Sequence, residues 1–401
     1  MSDCSSVSEC DSACDCRFES GCSSACDSDS ASEYSYINED STACDCGSIN
    51  ECGTTTNECC RPKEKWITGY MNTPINPVPQ VATKLSMRDI LGAWKVRWGI
   101  NRMSYKISPG LYCVGSPDKN SPVLVTANYK LTFDMLRKEL AGINAWIMVL
   151  DTNGVNVWCA AGKGTFGTKE LIRRISLTKL TKIVSHRTLI LPQLGAPGIS
   201  AHEVTKNTSF KITYGPVRAN DIKAFLSSGM IATTEMRTVK FNAYNRMVLV
   251  PNELTSAIKP TLMVFGILFI LNLIGLGPFS SIDFYAYIGA FLSGCLFTPL
   301  LLPFIPGRAF AAKGWIMGIL WALLVNVING FPDTPDYGWL KAVAYLLILP
   351  PVSAYYAMNF TGSSTYTSLS GVLKEMKVAV PAIITSAVLG AILLIANSII
   401  Y

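Results

Sequence analysis

The sequence predicts two folds in series: an open α/β domain over residues 81–255 and an all-α domain of five transmembrane helices over residues 258–401. Three observations lead there. Short apolar runs alternate with helix-like segments before residue 255, five apolar stretches of membrane length follow, and the first 60 residues lack the apolar content that either fold needs. Of the 401 residues, 15% are charged, whereas a soluble domain carries about 25%.

Strand-like runs lie at 111–114, 123–127, 146–151, 188–191 and 210–214, with helix-like segments at 133–140, 169–175 and 219–226. This alternation builds a sheet covered by helices, Rossmann-like or flavodoxin-like in arrangement. Such sheets bind ligands at loops beyond the carboxyl ends of their strands. Pro62, Pro74, Pro77 and Pro79 mark residues 61–80 as a linker.

Residues 1–60 hold 11 of the 14 cysteines, with seven Asp, six Glu and a single cation, Arg17. Their formal charge of −12 leaves +18 for the remainder, against a net +6. The spacing C-x5-C-x3-C occurs at 4, 10 and 14 and again at 16, 22 and 26, and Ala-Cys-Asp recurs at 13–15, 25–27 and 43–45. Such a segment cannot bury a core and is expected to be a disordered, low-complexity tail. C-x-x-C occurs nowhere, which excludes ferredoxin-type cluster motifs and zinc-finger pairs. Thiols in a reducing compartment suit soft metals such as Hg(II), Cu(I) or Zn; a tail with no specific ligand is the alternative. The basic remainder lacks dense Lys/Arg runs interleaved with aromatics, so no nucleic acid partner is expected.

The five apolar spans run over about 260–278, 284–304, 314–331, 340–358 and 379–400, each near the roughly 20 residues that cross a bilayer. Arg308 and Lys313 stand in one set of loops with Lys374 and Lys377; Asp283, Asp333 and Asp336 stand in the other. The positive-inside rule then puts the α/β domain in the cytosol and the C-terminus outside, in a multi-pass protein of the cytoplasmic (inner) membrane with lipid as its partner. The N-terminus has neither a basic n-region nor an apolar h-region, so no secretory signal is expected. The spans show no buried charge pair or carboxylate relay, which favours an anchor over a transporter.

The chemistry concentrates in residues 151–168, D-T-N-G-V-N-V-W-C-A-A-G-K-G-T-F-G-T. This is not a P-loop, because Val157 stands where the first glycine is needed and Gly164 follows Lys163. Nor is it a dinucleotide fingerprint, which needs G-x-G-x-x-G with a following acid. A catalytic Cys–His pair has only His186 and His202 to draw on, and sequence places neither beside Cys159. On local chemistry alone, Cys159 reads equally as a buried cysteine in a Gly-rich turn.

The longer string N-V-W-C-A-A-G-K, with G-T-F-G-T after it, resembles the cap-helix signature of the HgcA family, the corrinoid proteins of microbial mercury methylation. The segments V-T-A-N-Y-K-L-T-F-D (125–134), L-P-Q-L-G-A-P-G-I-S-A-H-E-V (191–204) and Y-G-P-V-R-A-N-D-I (214–222) are similar to that family and to the large subunit of the corrinoid iron–sulfur protein. The loop N-F-T-G-S-S-T-Y-T-S-L-S-G-V (359–372) and the five-span tail fit the mercury family, so the resemblance covers roughly residues 85–401. The iron–sulfur relative carries an N-terminal cluster motif and no membrane tail, the reverse of this chain.

The resemblance implies a cobalamin-type corrinoid, with Cys159 as its lower axial cobalt ligand and the catalytic residue. The usual histidine motif D-x-H-x-x-G is absent: Val184 and Ser200 stand two residues before His186 and His202. A thiolate is a soft, electron-rich metal ligand, and Lys163 lies four residues on. Donation from below would favour methyl transfer as a carbanion equivalent, as an Hg(II) substrate requires. The implied cofactor contacts are Thr126 and Asn128; Asn156, Val157, Trp158, Ala160, Ala161 and Gly162 in the cap; Lys163, Gly164 and Thr165 after it. The loop residues Gln193, Gly195, Ala196, Pro197, Gly198 and Ser200 are implied too, with His202 as a tail contact or a structural residue. Trp158 suits a corrin edge or a core equally. The implied partners are a methyltetrahydrofolate-dependent methyl donor system and a small HgcB-like ferredoxin with two iron–sulfur clusters as reductant. This reads as a corrinoid-dependent mercury methyltransferase. The alternatives are a membrane-anchored corrinoid methyl carrier of one-carbon metabolism and a thiol-rich metal-binding membrane protein.

Overall fold

The computed structural model describes residues 64–275, 280–333, 337–364 and 369–400. The cysteine-rich residues 1–60, and Asp336, lie outside them. The described chain forms two compact units, one of residues through Ile90 with Met103–Arg237, the other of Leu91–Arg102 with the chain from Thr238 onward.

In the first unit the elements are β1 (Ile67–Met71), β2 (Val78–Val81), α1 (Met87–Arg97, which runs on into the second unit), β3 (Gly110–Val114), β4 (Val123–Ala127), α2 (Lys130–Glu139) and β5 (Ala145–Leu150). Then come α3 (Val157–Lys163), α4 (Thr168–Leu177), β6 (Thr188–Leu191), α5 (Ala201–Thr208), β7 (Lys211–Tyr214) and α6 (Ile222–Ser227). The seven strands form one sheet in the order β1-β2-β3-β5-β4-β6-β7. Strands β5, β4, β6 and β7 run parallel to one another, while β3 is antiparallel to β5, so the sheet is mixed. Every residue of β4 and β5 is buried, which explains their near-continuous apolar sequences: both faces are covered. Alternation sends Val125, Trp146 and Met148 into one core and Leu124, Ile147 and Val149 into the other.

The segment expected as a linker, 61–80, instead supplies β1 and most of β2, which pair antiparallel from Ile67↔Val81 to Met71↔Val78. Proline is tolerated here because β1–β2 is a short hairpin at the sheet edge, where few ladder bonds are lost. Trp66 anchors it, its ring 5.2 Å from Phe133 and 5.6 Å from Tyr112.

The second unit contains α7 (Ala243–Met247), α8 (Val250–Leu273), α9 (Ser281–Leu292), a π-helical turn (Ser293–Phe297), α10 (Thr298–Leu301), α11 (Phe310–Ile328), α12 (Trp339–Asn359) and α13 (Leu369–Ile400). Among the described residues, five stretches are long and apolar enough to cross a membrane: Ala243–Leu273, Ser281–Leu301, Phe310–Ile328, Trp339–Gly362 and Ser370–Asn397. Two sequence expectations are corrected. Residues 238–255, assigned to the α/β domain, belong with the helices: Arg246 is buried and donates to the Leu300 carbonyl over 3.0 Å. Lys313, counted as a loop cation, is buried in the first turn of α11 and donates to the Leu302 carbonyl. Asp283 and Lys341, both partly exposed, form a charge pair at 3.9 Å. Both stand in first turns of their helices, where a polar side chain can reach the interface.

Candidate cofactor site

Strands β4, β5 and β6 converge on a topological switch: from β4 the chain crosses to β5 on one side, then returns to β6 on the other. The crevice outside the carboxyl ends of strands at such a point is where open α/β sheets take ligands. The residues directly after each of these strands build the site.

After β4 comes Asn128, 2% exposed. Its Oδ1 accepts from Thr152 N (3.0 Å), Thr152 Oγ1 (2.8 Å) and Gly154 N (3.0 Å), and its Nδ2 donates to Asp151 (3.0 Å). One carboxamide thereby fixes the whole turn after β5. That turn needs left-handed backbone at Asn153 (φ 55°) and Gly154 (φ 73°). A Cβ on Gly154 would also stand 2.9 Å from the Met103 carbonyl. Behind the turn, Glu170 of α4 accepts from Asp151 N (3.0 Å) and pairs with Arg174 (2.7 Å).

Helix α3 comes next, two turns long and closed at both ends. The Asn156 side chain accepts from Cys159 N over 2.9 Å as the N-cap, and Gly164 (φ 80°) ends the helix in the left-handed region. Val157, Ala160 and Ala161 face the core; Trp158, Cys159, Gly162 and Lys163 face out. Trp158 is 40% exposed, which decides its two readings in favour of a surface ring. A Cβ on Gly162 would meet nothing within 4 Å. Packing within the chain therefore does not demand glycine there, and its absence of a side chain leaves open surface one turn from the thiol.

After β6, residues Gln193–Gly198 form 3-10 turns that dock beneath α3. A Cβ on Gly195 would lie 2.5 Å from the Phe166 ring, and one on Gly198 would lie 2.2 Å from the Phe166 carbonyl and 3.0 Å from Ala161 Cα. Thr168 Oγ1 accepts from Ser200 N (2.8 Å), and the Tyr214 hydroxyl donates to the Ile199 carbonyl (3.2 Å). Burial pushes that hydroxyl above its ordinary range.

Not every expected contact lies on the open face. Thr126 is buried within β4, Asn128 is committed to the turn, and Val157, Ala160, Ala161 and Gly195 are buried packing residues. Gly198 is held against α3. Strand and helix periodicity explain these corrections, because neighbours in sequence point to opposite sides. Trp158, Cys159, Gly162, Lys163, Gly164, Pro197, Ser200 and His202 remain exposed, with Asn156, Thr165, Gln193 and Ala196 half-buried.

Among the described cysteines, Cys113 and Cys295 are buried and Cys159 is exposed. Burial pushes the Cys113 thiol up to about 11, which keeps it protonated. His186 precedes β6 while Cys159 follows β5, so these two sit at opposite ends of parallel strands. Its Nε2 is engaged with the Ser121 carbonyl at 2.9 Å. A Cys159–His186 pair is thereby ruled out. The spacing Gly162, Gly164, Gly167 follows a helix rather than a strand, unlike a dinucleotide loop.

Residues 98–226 match the family model for CdhD, the CO dehydrogenase/acetyl-CoA synthase delta subunit. The matched segment holds every residue of the candidate site and stops before the membrane-length helices. Similar relatives include the acetyl-CoA decarbonylase/synthase complex subunit gamma of Methanopyrus kandleri, 33% identical over 127 residues, 31% of this chain and 27% of the relative. The Archaeoglobus fulgidus subunit gamma is 32% identical over the same shares. Subunit gamma 2 of Methanosarcina thermophila is 35% identical over 99 residues, 24% of this chain and 21% of the relative. The chain thus spans about a quarter of the length of these curated relatives.

Proposed function

We propose that this chain is a membrane-anchored corrinoid protein that delivers a methyl group to Hg(II), with Cys159 as the residue whose thiolate would hold the cofactor's cobalt. One observation carries the reading. Cys159 is the exposed thiol among the described cysteines, and it stands on a capped two-turn helix outside the switch-point strands. Open space over Gly162 beside that thiol fits the approach of a flat macrocycle. When bound, the corrinoid supplies a cobalt centre that carries the methyl group.

The chain's own contribution is ligation and orientation. Cys159 offers a soft sulfur donor held in place by the Asn156 cap. Trp158 offers an apolar surface, and Lys163 and Ser200 offer donors for polar groups at the ring edge. Basic residues at Arg308, Lys374 and Lys377 favour the cytosolic side for the α/β unit. The methyl donor is a methyltetrahydrofolate system and the reductant a small two-cluster ferredoxin. The test uses the full chain, loaded anaerobically with methylcobalamin, beside Cys159→Ala. The native spectrum is expected to show a thiolate-dependent shift, and methylmercury should form with the native chain alone. Normal methylation by the variant would end the proposal.

The relatives' names favour a second reading, a methyl carrier in one-carbon metabolism. It predicts the same thiolate-dependent spectrum but no methylmercury from added Hg(II).

A further inference from the structure

Helix α1 presents its apolar face outward. Asp89 and Val96 are buried, on its inner side. Met87 (68% exposed), Ile90, Leu91, Trp94 (60%) and Trp98 lie at helical spacing on the outer side, followed by Ile100 and Met103. Arg88 and Lys95 flank this face on one side and Arg97 on the other, with Lys84 and Arg102 beyond the ends. A soluble surface helix has the opposite arrangement, and a contiguous exposed apolar patch of this kind marks an interaction surface.

Where the helix ends identifies what covers it. Gly99 sits against α8: a Cβ there would lie 3.2 Å from Thr255 Oγ1 and 3.5 Å from Asn252 Oδ1. Thr255 precedes Pro260, where the apolar run of the first membrane-length helix begins, by about 7.5 Å of helix rise. The intervening residues Ser256 and Lys259 are polar. The end of α1 therefore sits level with the headgroup zone of whatever bilayer α8 enters. Tryptophans on an apolar face with flanking Lys/Arg are the composition of helices that lie in that zone.

We propose that α1 is an interfacial helix, with Leu91, Trp94 and Trp98 in the acyl boundary and Arg88, Lys95, Arg97 and Arg102 on anionic lipid phosphates. The proposal rests on the reading that the five apolar helices span a membrane.

The test reconstitutes the full chain in vesicles containing anionic lipid. The brominated acyl chains carry bromine either near the glycerol end or near the bilayer centre. Tryptophan emission of the native chain is compared with that of a Trp94→Phe/Trp98→Phe variant, and the difference reports the two α1 indoles. Shallow bromines are expected to remove roughly half or more of the difference emission, and deep ones less, for rings about 5–10 Å inside the boundary. If the difference emission is unquenched while the emission from Trp315, Trp321 and Trp339 is quenched, the inference is overturned and the membrane reading stands. A blue-shifted but unquenched difference means that protein, such as a second copy, covers the face, and also overturns it. If no tryptophan is quenched, the membrane reading fails and takes the inference with it.

Discussion

Gly162 and Asn128 show how differently two residues of one site can act. The Gly162 position is empty of neighbours, so Gly162→Val should leave stability unchanged within about 0.5 kcal/mol, or raise it slightly through helix propensity. If a ring lies over it, the affinity for methylcobalamin should fall by about tenfold or more, near 1.4 kcal/mol, in a binding titration of the full chain. Unchanged affinity would move the cofactor off this face. Asn128→Ala strands the amides of Thr152 and Gly154, both buried, and should cost about 2–4 kcal/mol in thermal or denaturant unfolding. Asn128→Asp, which keeps the acceptor oxygens, should cost less. The string around Cys159 was legible in the sequence because it is long and unusual. The structural task of Asn128 was not, since its three partner residues lie more than twenty residues away.

Helices α1 and α2 are joined by a buried network. Lys130 bridges Asp89 (2.6 Å) and Asp134 (2.8 Å), while Arg137, fully buried, pairs with the same two carboxylates at 2.9 and 2.8 Å and donates to the Ala82 carbonyl. Burial pushes the Asp89 carboxyl up, but bonds from Lys130 and Ser86 outweigh it and hold the group well below the usual carboxylate range. A depressed carboxyl stabilises the fold fully above its unfolded pKa, about 3.9, and the contribution is lost as pH falls below that. The network should therefore hold at neutral pH and fail in acid, seen as a drop in melting temperature below about pH 4. Asp89→Asn should remove about 3–5 kcal/mol at neutral pH by leaving buried cations under-compensated, and should flatten that acid dependence. The i, i+4 pair of Lys130 and Asp134 is local to α2, whereas the closure by Asp89 from α1 depends on the sheet bringing the two helices together.

Across the helical unit, α11 and α12 approach closely enough that glycine is required. A Cβ on Gly318 would lie 2.5 Å from Pro350 Cα, and one on Gly314 would lie 2.8 Å from Ala354 Cα. Small residues four apart let helices pack without lipid between them. Gly318→Leu should overpack this contact and cost roughly 1–3 kcal/mol, lowering the melting temperature of the detergent-solubilised chain. The proposed orientation, drawn from five spans and the basic loops, places the two ends of the unit on opposite sides. A tag after Tyr401 should be cleaved by protease added outside intact cells while the α/β unit is protected; protection of both would contradict the orientation.

By itself the sequence determined the two classes of structure, the positions of β3 to β7, the five apolar helices and the string around Cys159. These rest on local quantities: apolar run length, alternation and the spacing of turn residues. Tertiary structure decided the rest. It drew a Pro-rich segment into the sheet edge, because a hairpin tolerates prolines that a central strand would not. It placed about a third of the expected contacts on the inner sides of their elements. It also turned the apolar face of α1 outward, since periodicity shows that a face exists and only packing shows what that face meets.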